Sequence, residues 1–236
     1  MQKRNKHIYI ASVIVLFSFV GFAQKEKIIL RKGNDSYHGG KPLEAINLYK
    51  NSLKEKQGYY KANFNLGDAY FKTAQLIKSG KIPTPDKKMT PDSAANIVFN
   101  QAAEQFEVVA KSVSNADTIQ KAWHNYGNAK LMQQSYEDAI LGYKKALKLN
   151  PKDEDTRYNL AYALKKLAEQ QKNQKNKDDK KNQDKKDEKK DKKENKEEKQ
   201  KQEEQQPQMS KEQAEKMLNA LKNDEKRMQA LRKKKG

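Results

Sequence analysis

The pattern of apolar and polar positions divides the chain into four stretches. An apolar run comes directly after a short basic segment at the N-terminus. A long middle part then places apolar residues three or four positions apart, a tract without apolar residues follows, and apolar positions return near the C-terminus. Because this spacing is the period of an amphipathic helix, the sequence predicts an all-α protein.

Residues 1–23 have the three-part layout of a secretory signal peptide. Three basic residues precede the apolar run, and the small residues Gly21 and Ala23 stand before Gln24. The apolar stretch has about 15 residues, fewer than the roughly 20 that span a bilayer as a helix. We expect an exported, periplasmic protein. The alternative is an uncleaved anchor that holds the protein in the inner membrane, facing the periplasm.

The middle part contains a frame of 34 residues. Small residues occupy positions 8, 20 and 27, aromatic residues occupy positions 4 and 24, and proline occupies position 32. This pattern resembles the tetratricopeptide repeat (TPR), although Lys130 replaces the usual tyrosine at position 11. Small residues let two antiparallel helices approach closely, and proline ends the second helix. The residues are Trp123, Gly127, Ala139, Tyr143, Ala146 and Pro151.

The frame recurs upstream and predicts two further repeats. Positions 8, 20 and 24 are filled again in residues 26–59. In residues 60–119, positions 20 and 24 are filled 23 residues late, which predicts an insertion at about 71–93. Thr90 and Pro91 predict the start of the delayed second helix. The frame residues are Gly33, Ala45 and Tyr49 in the first repeat, and Leu66, Gly67, Tyr70, Ala102 and Phe106 in the second.

We therefore expect a TPR solenoid over residues 24–171. It has about three helix pairs, the last over residues 120–153, and a capping helix over residues 154–171. An unpaired last helix is expected because it covers the final apolar face of a repeat array.

The tract over residues 172–206 contains 14 Lys and 11 acidic residues and no apolar one. Such a segment buries nothing that offsets the entropy of ordering, so we expect a disordered or fluctuating-helical linker rather than a polybasic arm. Residues 207–236 predict a short amphipathic helix with a basic terminus. It is expected to dock onto a partner, a membrane or the groove of its own chain; the alternative is a weakly helical tail. Its apolar residues are Met217, Leu218, Leu221, Met228 and Leu231.

The net charge of +19 by itself favours a nucleic-acid partner, but the distribution of the charge does not. The signal peptide holds part of the excess, and the densest charged tract is nearly balanced. There is no Cys, and none of the three His is spaced for metal binding. We therefore expect no enzyme, cofactor, metal site, nucleic acid or small-molecule substrate. Membrane contact is expected only through an uncleaved signal peptide or the basic terminus.

TPR arrays bind ligands on the concave surface formed by the first helix of each pair. The resemblance implies that twelve residues of this chain lie on such a surface. Asparagine side chains there suit a peptide backbone, and Lys61 and Lys121 suit a carboxylate. The set partly resembles carboxylate-clamp TPRs, but Leu30 and Asn125 stand where those have basic residues. The alternative is a generic repeat surface. The candidates are Asn34, Tyr37, Lys61, Asn65, Asp68, Phe71, Lys121, His124, Asn125, Asn128, Tyr158 and Tyr162.

The order of signal peptide, TPR repeats, charged linker and the terminal segment QMSKEQAEKMLNALKNDEKRMQ is similar to the BatC-type TPR proteins of the Bat aerotolerance operon. The resemblance implies a periplasmic interaction scaffold that binds a peptide or domain in its groove. It also implies that the scaffold works with membrane-anchored von Willebrand A-domain proteins. The alternative function is binding of membrane lipid or cell-wall polymer through the basic C-terminal segment.

Overall fold

The computed structural model describes residues 24–187, and side chains up to residue 174. This part of the chain contains seven α-helices and no strand, which confirms the all-α prediction. It forms two compact units, the first ending at Ser135 and the second beginning at Tyr136. The helices are α1 (Lys25–His38), α2 (Pro42–Glu55), α3 (Tyr60–Lys78), α4 (Pro91–Ser112), α5 (Ala116–Met132), α6 (Tyr136–Leu149) and α7 (Glu154–Asp187).

Each helix of the first unit packs against the next one in the chain, from α1 to α5. The close approach of α1 and α2 depends on Gly33, because a Cβ atom there would lie 2.5 Å from Cε1 of Tyr49. Gly67 faces Phe106 in the same way, with 2.7 Å between a Cβ atom and Cε1 of the ring. In the first two repeats, the small residue at position 8 therefore packs against the aromatic ring at position 24.

The helices α1, α3 and α5 end in the same hydrogen-bonded turn. After α1, the N–H groups of Gly40 and Lys41 donate to carbonyl groups of the last helical turn. The ends of α3 and α5 repeat this pattern, with Gly80 and Gln134 in the left-handed conformation at φ 71° and 61°. This Schellman arrangement satisfies carbonyl groups that the helix leaves unpaired. The internal repeat is thus visible in the backbone as well as in the sequence.

The insertion in the second repeat lengthens both helices of the pair. Helix α3 continues to Lys78, α4 begins at Pro91, and only residues 79–90 form a connection. The side chain of Thr90 accepts a hydrogen bond from the Ser93 N–H at 3.2 Å, which confirms the predicted helix start. The added turns form an apolar cluster of their own. It contains Ala74, Ile77, Ala94, Ala95 and Phe99, with Phe71, Ile82, Met89, Val98 and Met132 packed against it.

Lys130, which departs from the TPR pattern, forms a polar link between two helices. Its ammonium group donates a hydrogen bond to Oδ1 of Asn100 on α4 at 2.8 Å. The same group lies 5.8 Å from the centre of the Tyr126 ring. The lysine therefore connects α5 to α4 where the family pattern has an aromatic side chain.

The second unit pairs α6 with α7. Tyr143 on α6 and Ala161 on α7 are fully buried. Asp153 caps α7, since its carboxylate accepts a hydrogen bond from the Thr156 N–H at 3.1 Å. The helix then continues to Asp187, past residue 171 where the sequence predicts the capping helix to end. Lys and Gln favour helix, and an existing helix grows without a new nucleus, so a tract without apolar residues still extends it.

The predicted signal peptide, the linker from residue 188 onwards and the C-terminal helix lie outside the described residues. The predicted domain bounds therefore stay predictions. Within residues 24–187, no helix combines the length and apolar character needed to cross a bilayer.

Candidate peptide-binding groove

Ten of the twelve candidate groove residues lie on α1, α3 and α5, the first helices of the predicted repeats. All ten belong to the first unit. Asn65 and Asp68 are three residues apart on α3, so they share one face of that helix. Both are half-buried, whereas Lys61 and Lys121 are exposed. The half-buried polar residues of these helices form the centre of the candidate site.

Asn34 connects three helices of the first unit. Its side-chain oxygen accepts a hydrogen bond from Nδ2 of Asn65 on α3 at 2.7 Å. The same oxygen accepts a second hydrogen bond from the hydroxyl group of Tyr49 on α2 at 2.9 Å. Two donors on one oxygen fix the orientation of the Asn34 amide, which leaves its nitrogen as a donor for another group.

Asp68 and Asn125 connect α3 to α5. Nδ2 of Asn125 donates a hydrogen bond to Oδ1 of Asp68 at 3.3 Å. Burial raises the pKa of the Asp68 carboxyl from its ordinary value of 3.8 to about 7. The physical cause is the loss of water around the charged form. A carboxyl group with this pKa takes up or releases its proton near neutral pH.

Two tyrosines share the region around Asp68. Burial raises the pKa of Tyr37, and the negative charge of Asp68 raises it further. Burial, followed by the charge of Asp68, raises the pKa of Tyr49 to about 12. Both hydroxyl groups stay neutral at physiological pH, and both respond to the same carboxyl. We call the residues Asn34, Tyr37, Tyr49, Asn65, Asp68 and Asn125 the polar cluster.

Phe71 does not join the polar cluster. Its ring packs edge-on against Phe99, with 5.2 Å between the ring centres, and belongs to the apolar cluster of the insertion. The reason is the lengthening of α3 and α4, which gives this ring an apolar partner that an ordinary repeat lacks. His124 and Asn128 are half-buried on α5.

The two tyrosines predicted from the capping helix lie on α7 in the second unit. Tyr158 and Tyr162 are half-buried. The ammonium group of Lys166 lies 5.6 Å from the centre of the Tyr162 ring and 3.0 Å from Oε2 of Glu169. A neighbouring side chain of the same helix therefore covers one face of the Tyr162 ring.

The two positions that depart from a carboxylate clamp offer no positive charge. Leu30 is buried in the core of the first unit. Asn125 donates to Asp68. The region therefore presents a carboxyl group among neutral amides, the opposite of a clamp built from basic side chains.

Tyr49 belongs to the polar cluster, and the sequence interpretation assigned it to packing alone. Its ring does pack against Gly33. Its hydroxyl group additionally holds Asn34 in place. The repeat frame contains a sign of this second role, because position 24 is tyrosine in the first repeat and Phe106 in the second. A buried tyrosine hydroxyl needs a hydrogen-bond partner, whereas phenylalanine does not.

Residues 127–167 match the family model described as TPR repeat. This stretch is similar to a TPR repeat. It includes Gly127, Tyr143 and Pro151, on which the sequence resemblance depends. The resemblance to TPR is therefore supported over this stretch, and TPR domains are protein-interaction scaffolds.

Curated proteins include no match to this chain. Similar solved structures include the first TPR of Spaghetti (RPAP3) bound to HSP90 peptide SRMEEVD, at 21% identity and a TM-score of 0.48, covering 61% of this chain and 94% of that one. The Sgt2 TPR domain from Aspergillus fumigatus is 18% identical, with a TM-score of 0.47 and coverage of 63% and 82%. MamA (41-end) from Desulfovibrio magneticus RS-1 is 18% identical, with a TM-score of 0.26 and coverage of 59% and 83%.

The polar cluster is suited to hydrogen bonding with a peptide. Its amides supply both donors and acceptors, and Asp68 supplies a carboxyl group. Within the described residues, no group of three or more His, Asp or Glu side chains is arranged to hold a metal ion. These groups suit recognition by hydrogen bonds and charge.

Proposed function

We propose that this protein is an interaction scaffold that binds an extended peptide segment of a partner protein along α1, α3 and α5. The observation that carries the proposal is the pair of side-chain contacts across these helices, Asn34 with Asn65 and Asp68 with Asn125. These contacts fix the directions of four polar groups before any ligand arrives. A preorganised site binds more tightly because less side-chain entropy is lost on binding.

The donor and acceptor atoms that these contacts leave unused can form hydrogen bonds with a peptide backbone. Nδ2 of Asn34 and Oδ1 of Asn65 make no further hydrogen bond among the described residues. A backbone segment presents a carbonyl acceptor and an N–H donor at each residue and can satisfy both. The TPR fold is typically a non-enzymatic scaffold, and catalysis forms no part of the proposal.

The proposal also includes the cellular location and the partner proteins of the scaffold. The N-terminal sequence supports export to the periplasm, with retention in the inner membrane as the alternative. The resemblance to BatC-type proteins supports a role beside membrane-anchored von Willebrand A-domain proteins in an aerotolerance or stress-related complex. Protease protection of the chain in intact spheroplasts would contradict the periplasmic location, and digestion is the expected result.

Peptide binding is tested with a random eight-residue display library and the full chain. Selected peptides are synthesised, and their affinities are measured by calorimetry for three proteins. Asn65→Ala removes one amide of the polar cluster and should weaken binding about tenfold, since a lost hydrogen bond costs about 1–1.5 kcal/mol. Leu141→Ala, an exposed position on α6, is the matched control and should bind like the natural chain. Equal affinities for all three proteins would contradict binding by this face.

A second candidate function is attachment to an anionic surface. The terminal sequence RKKKG and the excess of basic residues favour it. Binding to vesicles with anionic lipid or to an anionic cell-wall polymer should then be detectable at 50 mM salt and fall steeply by 200 mM salt, because released counterions drive it. Loss of residues 207–236 should abolish such binding; unchanged binding would contradict this candidate.

A further inference from the structure

The first two repeats differ at two positions that contact each other in the first repeat. Position 9 is Asn34 in the first repeat and Asp68 in the second, and position 24 is Tyr49 and Phe106 respectively. The Tyr49 hydroxyl donates to Asn34. Phe106 has no hydroxyl group, and its ring packs against Gly67. In the first repeat, the neutral amide oxygen of Asn34 accepts a hydrogen bond from Tyr49. In the second repeat, position 9 is instead the carboxyl group of Asp68, and position 24 has no hydroxyl group to donate to it.

The Asp68 carboxyl receives little compensation from the rest of the described residues. Within residues 24–174, its hydrogen bond comes from Asn125 at 3.3 Å, a long contact for a carboxylate. Among the same residues, no Lys, Arg or His nitrogen lies within 4.0 Å of its oxygens as an ion-pair partner. A carboxylate has about four lone-pair sites, so most of its acceptor capacity is unused.

We infer that Asp68 makes this face select peptides that place a Lys or Arg side chain at the centre of the polar cluster. A carboxylate that is partly removed from water and has no ion-pair partner is costly, and a ligand cation removes that cost by pairing with it. The neutral amides on either side hold the peptide backbone, while the carboxylate takes the cation. This inference rests on the proposed peptide binding and adds the chemistry of the peptide.

The groups around Asp68 support a cation rather than an anion at this point. Tyr37 on α1 and Tyr49 on α2 are neutral at physiological pH, because burial raises the pKa of each. Asn125 on α5 is neutral as well. Lys61 and Lys121 are exposed and do not pair with Asp68. An acidic peptide residue at this point would face the carboxylate without a compensating charge.

The protonation of Asp68 provides a second test of its contact with the peptide cation. The pKa of Asp68 is raised to about 7 by burial, so a bound cation must first displace the proton from part of the molecules. The affinity for a basic peptide should therefore fall about tenfold from pH 8 to pH 6. Binding at pH 7 should release about half a proton, measured by calorimetry in buffers of different ionisation enthalpy. His124 is half-buried next to Asn125 and is unchanged in Asp68→Asn, so the loss of both effects in that variant would assign them to Asp68.

The test is a selection from the random eight-residue display library at pH 8 with three full chains. The natural chain and Asp117→Asn, an exposed charge-matched control on α5, should both enrich Lys or Arg at one fixed position. Asp68→Asn keeps the size of the side chain and should lose this enrichment. For a peptide selected on the natural chain, Asp68→Asn should bind at least tenfold more weakly, with no pH dependence and no proton release.

Three results would overturn the inference in different ways. Peptides that lose affinity in Asn65→Ala but show no enrichment of Lys or Arg, or an enrichment of acidic residues, would contradict selection by Asp68. They would leave the peptide-binding proposal standing. Selected peptides that ignore both Asn65→Ala and Asp68→Asn would contradict the peptide-binding proposal itself, and the inference with it. An enrichment of basic residues that survives in Asp68→Asn would assign the preference to general charge.

Discussion

At the scale of single residues, Asp68 combines a half-buried position with a charge that its surroundings do not neutralise. Its pKa of about 7 in the folded chain lies above the ordinary value of 3.8, so the folded state favours the protonated form. The contribution to stability is complete below pH 3.8 and is lost as the pH rises through 7. A residue that weakens its own fold at neutral pH is typical of a functional site.

Asp68→Asn should therefore stabilise the chain at pH 8 and have little effect at pH 4. A shift of about three pKa units corresponds to roughly 4 kcal/mol, and we expect about half of this because the side chain keeps some contact with water. Urea unfolding of both proteins at pH 4 and pH 8 measures the difference. Asp117→Asn, exposed on α5, should show no such dependence. A stability difference that does not change with pH would contradict the burial of Asp68.

Gly33→Ala should destabilise the first unit and also weaken peptide binding. The new methyl group would lie 2.5 Å from Cε1 of Tyr49, so the ring must move, and its hydroxyl holds Asn34. Overpacking of this kind costs about 1–3 kcal/mol. Thermal unfolding and peptide calorimetry together test both effects. Ser36→Ala, on the same helix, should change stability by less than about 0.5 kcal/mol.

The sequence predicts the glycines of this packing but not the polar cluster. A small residue at position 8 and a ring at position 24 recur in the sequence, so Gly33 and Gly67 are recognisable without a structure. The hydrogen bond of Tyr49 to Asn34 and the burial of Asp68 depend on side chains from different helices. Sequence position within one repeat carries no information about such contacts.

At the scale of helices, the turns after α1, α3 and α5 show how the repeat is preserved. Two of them have glycine in the left-handed conformation, whereas α5 ends with Gln134 at φ 61°. A side chain in this conformation costs roughly 1 kcal/mol relative to glycine. The TPR frame predicts the turn, but the sequence gives no sign that glutamine adopts the strained conformation.

Gln134→Gly should stabilise the chain by about 1 kcal/mol without changing its helices. The reverse change at an equivalent position, Gly80→Gln, should destabilise it by a similar amount, because an added Cβ at Gly80 meets no atom within 4 Å and only the backbone is affected. Urea unfolding measures both. Equal stabilities would show that Gln134 does not hold the left-handed conformation in solution.

The sequence predicts an insertion at about 71–93, but it does not predict that added turns lengthen α3 and α4. Thr90 and Pro91 mark a helix start by local chemistry, so the sequence predicts the beginning of α4. The pairing of added turns in α3 and α4 depends on tertiary contacts, such as Phe71 with Phe99. These contacts give Phe71, which the sequence predicts for the groove, an apolar partner on α4.

Phe71→Ala should therefore lower stability and leave peptide affinity unchanged. Loss of a partly buried ring from the apolar cluster should cost about 2–3 kcal/mol, below the range for a fully buried phenylalanine. Unfolding measurements and calorimetry with a selected peptide separate the two effects. A large loss of affinity with intact stability would restore Phe71 to the groove.

At the scale of the whole molecule, the described chain consists of two units that each contain packed helices. The polar cluster lies entirely in the first unit, on helices whose mutual contacts fix its geometry. The fold class follows from helical periodicity and the TPR frame, both of which are local signals. The candidate site follows only in part, because the frame identifies positions but not which of them hydrogen-bond to each other.

The central claim is that the polar cluster of the first unit is a peptide-binding surface. The most direct measurement is NMR observation of asparagine side-chain amides while a selected peptide is titrated into the full chain. The amide signals of Asn34, Asn65 and Asn125 should shift in a saturable manner, and those of exposed Asn51 on α2 should not. Saturable shifts at Asn51 with unchanged signals from the polar cluster would contradict the claim.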